Sequence, residues 1–193
     1  MEEAGPPLEQ SAQMAAGAGD TGTVIESRTA QGARLLRLRQ WPEAEQVLQT
    51  AVKLAVDTHQ PYLEAGALLN LGMGRMRRQR YDEAAAYFER SSTAAGPHGG
   101  TLRNAAESNL ASCYYRLGEF DRAVAIHARA IAAHEKSGAT VFLQQSLGEA
   151  GTTFLLNGQP DKAVPYFERA RKLADELRRT CDAAIWAGNL SST

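Results

Sequence analysis

Aromatic residues are scarce, at 7% of the 193-residue chain. β-Branched residues are sparse as well, and sheets depend on both kinds of side chain to cover a pleated, half-buried surface. Alanine, the best helix former, is abundant instead, which favours closely approaching helices. Cysteine is limited to Cys113 and Cys181. They form no CxxC pair and have no histidine at ligand spacing, so they read as reduced thiols of a reducing compartment. Charge of either sign is not in excess: 21 basic residues face 22 acidic ones, for a net charge of −1. No global field therefore draws the chain to nucleic acid or to an anionic membrane. No apolar run approaches the roughly 18 residues of a membrane span. The start, Met1-Glu2-Glu3-Ala4-Gly5-Pro6-Pro7, is acidic and broken, unlike the basic start and apolar core of a secretory signal. These absences predict a cytoplasmic protein with no nucleic-acid or membrane partner.

Signatures of chemistry are missing too. There is no GxxxxGK[ST] phosphate loop. Gly72-Met73-Gly74 falls inside a predicted helix rather than after a strand, which excludes a dinucleotide turn. His127 and His134 stand seven apart and could share a helix face, but no further metal ligands accompany them. His127 occupies a bulky core position and reads as a packed side chain. No Ser/His/Asp or Cys/His arrangement emerges. The expectation is a protein that is not an enzyme, with no catalytic residue, cofactor or metal.

What the chain has is a repeat. Trp41-Pro42-Glu43-Ala44, Tyr81-Asp82-Glu83-Ala84, Phe120-Asp121-Arg122-Ala123 and Pro160-Asp161-Lys162-Ala163 follow one another at spacings of 40, 39 and 40 residues. Four residues after each alanine stands a bulky residue: Leu48, Phe88, His127 and Phe167. Small residues come three later, at Ala51, Ser91, Ala130 and Ala170. Upstream, small Gly32, Gly72, Ala111 and Gly151 precede large Leu35, Arg75, Tyr114 and Phe154. These intervals are helical. Small residues let two antiparallel helices approach, and large ones fill the space above them. Gly118 and Gly158 suit the end of a first helix, where a free φ is needed. Asp121 and Asp161 suit the positive start of the second, and Pro42 suits its first turn. Pro165 falls deeper and predicts a slight kink.

These residues resemble the tetratricopeptide motif: a small residue in the first helix, an aromatic at the turn, then alanine, aromatic and alanine in the second. The usual period is about 34 residues; the longer one here is similar to the repeats of kinesin light chains, GoLoco-binding polarity adaptors and bacterial sensors, including the helical arms of CHAT proteases. The resemblance implies an all-α fold, a right-handed superhelix or α-solenoid of about four antiparallel hairpins plus a terminal helix. Residues 1–22, rich in Gly, Ala, Pro, Glu and Gln, are expected to be a disordered tail. The array then covers 23–193, with repeats at about 24–60, 61–100, 101–140 and 141–179 and a partial one at 180–193. The stretch Ala94-Ala95-Gly96-Pro97-His98-Gly99-Gly100 breaks the second repeat from the third.

The resemblance also implies a concave groove lined by the first helices, and three rows of residues map onto it. Ala30, Asn70, Asn109, Glu149 and Asn189 form the first. A carboxamide both donates and accepts, so Asn70, Asn109 and Asn189 can pair with an extended peptide backbone or, equally, bridge helices. Leu36, Met76, Tyr115 and Leu155 form an apolar row that either packs between helices or grips ligand side chains, with Met76 and Tyr115 the adaptable contacts. Arg37, Arg77 and Arg116 form a basic ladder, thickened by Arg75, Arg78 and Arg80. Guanidinium forks suit an acidic segment, whereas arginine at a helix end also simply answers the helix dipole. The clamp that some relatives use for chaperone tails is absent: Thr29 and Ala33 replace its first-repeat lysine and asparagine, Ala105 and Asn109 replace its final basic pair, and Asn70 alone fits. The expected function is a scaffold or adaptor that holds a protein or peptide. Two alternatives are a regulatory arm of a larger enzyme, such as a CHAT-type protease, and a self-associating module joined through the apolar terminal helix with Ile185, Trp186 and Leu190.

Overall fold

A computed structural model describes residues 20–178 and 180–191; within the last helix, the side chains of 180–183, 186 and 191 are not described. The described residues form nine helices: α1 (Thr21–Arg37), α2 (Trp41–Asp57), α3 (Pro61–Arg77), α4 (Tyr81–Ala95), α5 (Gly100–Arg116), α6 (Phe120–Ser137), α7 (Thr140–Leu156), α8 (Pro160–Glu176) and α9 (Thr180–Ser191). No strand occurs among them. They divide into two compact units, one ending at Ala106 and the other beginning at Glu107. The expected N-terminal tail lies, apart from Asp20–Gly22, outside the described residues, as does the Cys181 side chain. Asp20 caps α1 by accepting from the Thr23 amide at 3.1 Å, and the Thr23 hydroxyl holds its carboxyl below the usual carboxylate range.

The turns explain why each helix stops where it does. After α5 and α7, Gly118 and Gly158 take φ values of 75° and 69°. The amide beyond each reaches back to a buried turn, Glu119 N to Tyr114 O at 2.8 Å and Gln159 N to Phe154 O at 3.0 Å. These paired bonds satisfy carbonyls that the helix end leaves open. The same bonds close α1 and α3, where Gln40 N meets Leu35 O and Arg80 N meets Arg75 O, each at 3.0 Å. There the left-handed residue is not glycine but Arg39 (φ 61°) or Gln79 (φ 59°), at a cost of about 1–2 kcal/mol each. Pro42 and Pro61 occupy first-turn positions, where the missing N–H is harmless. The helix α8 runs unbroken through Pro165.

In the first, second and fourth hairpins the small and large positions interlock. A Cβ on Gly32 would lie 2.4 Å from Leu48, one on Gly72 would lie 2.6 Å from the Phe88 ring, and one on Gly151 would lie 2.7 Å from the Phe167 ring. Only a bare Cα admits the opposing side chain, and Leu48, Phe88 and Phe167 are fully buried as a result. Ala44, Ala84, Ala123 and Ala163 are fully buried as well. In the first unit Leu36, Leu48, Leu68 and Leu71 form one core cluster, with Trp41 and Tyr87 against it. Ile25, Ala51, Ala55 and Ala67 form another. Buried Ser91 donates to Ala65 O at 2.8 Å, so its hydroxyl is satisfied. In the second unit Phe154 and Phe167 anchor a cluster, with Phe120, Tyr166 and Leu190 packed against it. The Phe154 ring meets Phe120 edge-on at 5.7 Å and stacks on Tyr166 at 5.4 Å. Each fully buried aromatic or large aliphatic side chain stabilises its unit by about 1.5–3 kcal/mol relative to exposure.

Candidate functional site

Each unit carries a cleft on its first-helix face. In the first unit the cleft holds about 370 Å³ and is lined by Glu26, Thr29, Ala30 and Ala33 of α1, Tyr62, Leu63, Gly66 and Asn70 of α3, and Leu102. The i, i+3, i+4 spacing of these residues on α1 and α3 puts them on one stripe of each helix. The small side chains of α1 keep the floor low. Tyr62, 54% exposed, forms part of its wall. The Asn70 Nδ2 donates to Gly66 O at 2.9 Å, which leaves the carboxamide oxygen as an acceptor for a ligand N–H.

In the second unit the cleft holds about 250 Å³ and is far more polar. Ser108, Ser112, Tyr115 and Arg116 of α5 line it, with His127 of α6 and Glu149, Thr152, Thr153 and Leu156 of α7. His127 is buried and its ring Nε2 lies 3.0 Å from the Thr153 hydroxyl. That hydroxyl already donates to Glu149 O at 2.9 Å, so it accepts from an Nε2–H. The ring is thereby fixed as the Nε2–H tautomer, with a bare Nδ1 facing Glu149 Oε2 at 4.0 Å. Burial pushes the His127 pKa down to about 4, so the ring is neutral near pH 7. Burial also raises the Glu149 carboxyl above its ordinary value, against a hydrogen bond from Ser108 that favours the charged form. The Glu149 side chain keeps 41% of its surface open, so the carboxylate sits recessed but reachable.

The groove rows disperse. Ala30 and Asn70 of the first row line the first cleft and Tyr115 and Arg116 the second, where Glu149, the row's single carboxylate, also stands. Arg37, Arg77, Met76, Asn109 and Asn189 line neither cleft. Asn109 is half-buried and already engaged within the protein; Asn189 and Met76 are half-buried on α9 and α3. Arg37, Arg77 and Arg116 are exposed. Arg77 donates to Leu36 O at 3.3 Å, answering a carbonyl at the end of α1. Leu36 itself belongs to the core. Arg75 turns inward instead of extending the ladder: its guanidinium pairs with Glu45 and, at 3.0 Å, with Glu83. Arg80 also pairs with Glu83. The polar shell around His127, built from Ser108, Thr152 and Thr153, was not anticipated. The available signal was a break in the pattern, since His127 is the polar member of a row of Leu and Phe. On α9, Ile185 is 54% exposed whereas Leu190 packs onto the Phe154 cluster. Cys113 is buried, with its thiol pushed up to about 11 by burial. No group of three or more metal-ligating side chains occurs among the described residues, and no described helix is long and apolar enough to cross a membrane.

Hairpins of two helices, closed by left-handed turns and locked small against large, define a helical-repeat protein with open first-helix faces. Tetratricopeptide-repeat models match residues 29–99 and 102–176, and the chain belongs to the tetratricopeptide-repeat family. No curated protein sequence matches it. Among solved structures it is similar to BtubC (BKLC) from P. vanneervenii, with 19% identity and a TM-score of 0.68 over 82% of this chain and 66% of that one. It is also similar to a Podosopora anserina protein with nearly identical TPR-like repeats of the kinesin light chain kind, with 19% identity, a TM-score of 0.66, and coverage of 90% and 96%. A Rap protein complexed with Competence and Sporulation Factor matches at 17% identity and a TM-score of 0.65, over 96% of this chain and 56% of that one. At these identities the likeness is one of fold. A fold of this family is in general a non-catalytic scaffold for protein–protein interaction.

Proposed function

We propose that this chain is an adaptor that holds an extended segment of a partner protein on its first-helix faces, with residues 23–193 acting as the binding array. The observation that carries this reading is the pair of first-helix clefts, one per unit, each combining apolar wall with unsaturated acceptors. Asn70 in the first and Tyr115 with Arg116 in the second are the contacts offered to the segment; Arg37, Met76, Arg77 and Asn109 lie on the same first helices, and Asn189 continues the row on α9. An extended backbone has its own N–H and C=O groups unpaired, and side chains that both donate and accept can answer it without regard to sequence. The complex of the structurally similar Rap protein with Competence and Sporulation Factor supports a ligand held on this fold. We place the adaptor in the cytoplasm, in keeping with the free thiol of Cys113.

The test is a selection of peptides from a displayed random library on the full chain, followed by affinity measurement on variants. Asn70→Ala, alone and combined with Asn109→Ala, is expected to weaken the selected peptides about tenfold or more, as loss of the Asn70 backbone contact should, with the circular dichroism spectrum of the single variant unchanged. An Arg37/Arg77/Arg116 triple-alanine form reads whether acidic residues contribute. Peptides that bind all these variants as well as the parent would move the site off the first-helix faces.

A further inference from the structure

We propose that the cleft between α5 and α7 receives a basic side chain, the guanidinium of arginine or the ammonium of lysine, from the segment held on the first-helix face. This inference rests on the adaptor reading and gives one of its clefts a ligand class.

The argument starts from where the hydroxyl protons go. Ser112 donates to Ser108 O at 3.0 Å, Thr152 to Gly148 O at 2.9 Å, and Tyr115 to Leu156 O at 3.2 Å. Thr153 donates to Glu149 O. A hydroxyl has a single proton, so each of these oxygens is left with lone pairs only. The His127 ring, fixed as its Nε2–H tautomer by Thr153, adds a bare Nδ1. The Glu149 carboxylate adds its own acceptors, and its nearest positively chargeable neighbour among the described residues is that same neutral ring, 4.0 Å away. The lining is therefore a shell of acceptors around one recessed negative charge. Two acceptors facing each other need a donor between them, and a recessed carboxylate held only by the Ser108 hydroxyl gains from a counter-charge.

A carboxylate ligand would meet Glu149 and lone pairs. A neutral side chain would leave Glu149 uncompensated. A guanidinium or ammonium brings several N–H donors and the missing charge. Arg116, the one basic residue of the lining, is exposed at the end of α5. It stands at the mouth, where it suits an acidic neighbour of the inserted residue rather than a second cation. The site also joins two departures from the repeat pattern: Glu149 is the single charged member of a row of asparagine and alanine, and His127 replaces Leu or Phe in another. Repeat packing needs neither change.

The experiment is an NMR titration of the full chain with N-acetyl-arginine amide, N-acetyl-lysine amide, N-acetyl-norleucine amide and N-acetyl-glutamate amide. The basic amides are expected to shift Ser108, His127 and Thr152 signals saturably, at least about tenfold tighter than the norleucine and glutamate amides. Glu149→Gln keeps the side-chain shape and removes the charge, and it should weaken the basic amides by about tenfold or more. Equal shifts from basic and norleucine amides, or basic binding retained by Glu149→Gln, overturn the proposal. If a library-selected peptide is then still lost through Asn70→Ala with Asn109→Ala, the adaptor reading stands and this inference alone falls. If that double variant also binds normally, both fall.

Discussion

Two glycines of one helix should answer the same substitution with opposite signs. Gly66 and Gly72 both lie inside α3, where replacing glycine by alanine gains about 1 kcal/mol of helix propensity. At Gly66 an added Cβ meets nothing within 4 Å, so the gain stands unopposed. At Gly72 the added Cβ would lie 2.6, 2.8 and 2.9 Å from three carbons of the Phe88 ring. That ring is rigid and fully buried, so relief requires moving the whole hairpin. Overpacking of this kind costs typically about 1–3 kcal/mol. With all three clashes on one immobile ring the upper part of that range applies, and Gly72→Ala should lose about 1–2 kcal/mol net. In urea, with a slope of about 2 kcal/mol per molar, the midpoint should fall by about 0.5–1 M for Gly72→Ala and rise by about 0.5 M for Gly66→Ala. Circular dichroism at 222 nm across a urea series reads both. A Gly72→Ala midpoint equal to or above that of Gly66→Ala would refute the account of hairpins locked small against large.

Replacing Arg39 or Gln79 with glycine should raise the stability read from urea unfolding by about 0.5–1 kcal/mol each, because both residues occupy left-handed turns; a loss of stability would mean that their side chains matter more than their backbone. Ala123→Asp should disrupt the third hairpin, since Ala123 is fully buried and a charge there has no partner; an unchanged thermal midpoint would sink the alignment of the repeats. His127 titrates at about 4 in the folded chain against an ordinary 6.5, so between those values the unfolded chain binds the extra proton and stability falls as pH drops, by about 3 kcal/mol in all. Glu149, raised above its ordinary value, works in the opposite direction, and His127→Gln should therefore remove the downward acid slope; an unaltered slope in that variant would assign it to other groups.

The fold was legible because its determinants are local and recur. Alanine at 44, 84, 123 and 163, opposite the glycine and bulky rows, specifies the hairpin directly, and all four alanines are fully buried. Gly118 and Gly158 announced their turns, whereas Arg39 and Gln79 hid the same geometry behind residues that ordinarily avoid it. Arg75 shows where row-reading fails. It occupies a position held elsewhere by Leu, Tyr and Phe, and it becomes tolerable inside only because Glu45 and Glu83 come from two other helices. Such a pairing depends on three elements meeting, which a periodic pattern does not encode. The second cleft was half legible: Tyr115, Arg116 and Glu149 fall in rows, but the hydroxyls that close around His127 belong to stripes that the repeat leaves unconstrained.

The interlock of Gly32 with Leu48, Gly72 with Phe88 and Gly151 with Phe167 joins residues sixteen positions apart in every case. Both halves of each lock thus travel on one short stretch of coding sequence. A genetic crossover between hairpins carries a matched pair intact into its new setting. A crossover through the turn separates glycine from its partner and delivers either a clash or a hole. Duplication, loss or exchange of whole hairpins is therefore the inexpensive way to lengthen or re-specify this array, with seams at the junctions near residues 58–60 and 96–99 rather than at the turns 38–40, 78–80 or 157–159.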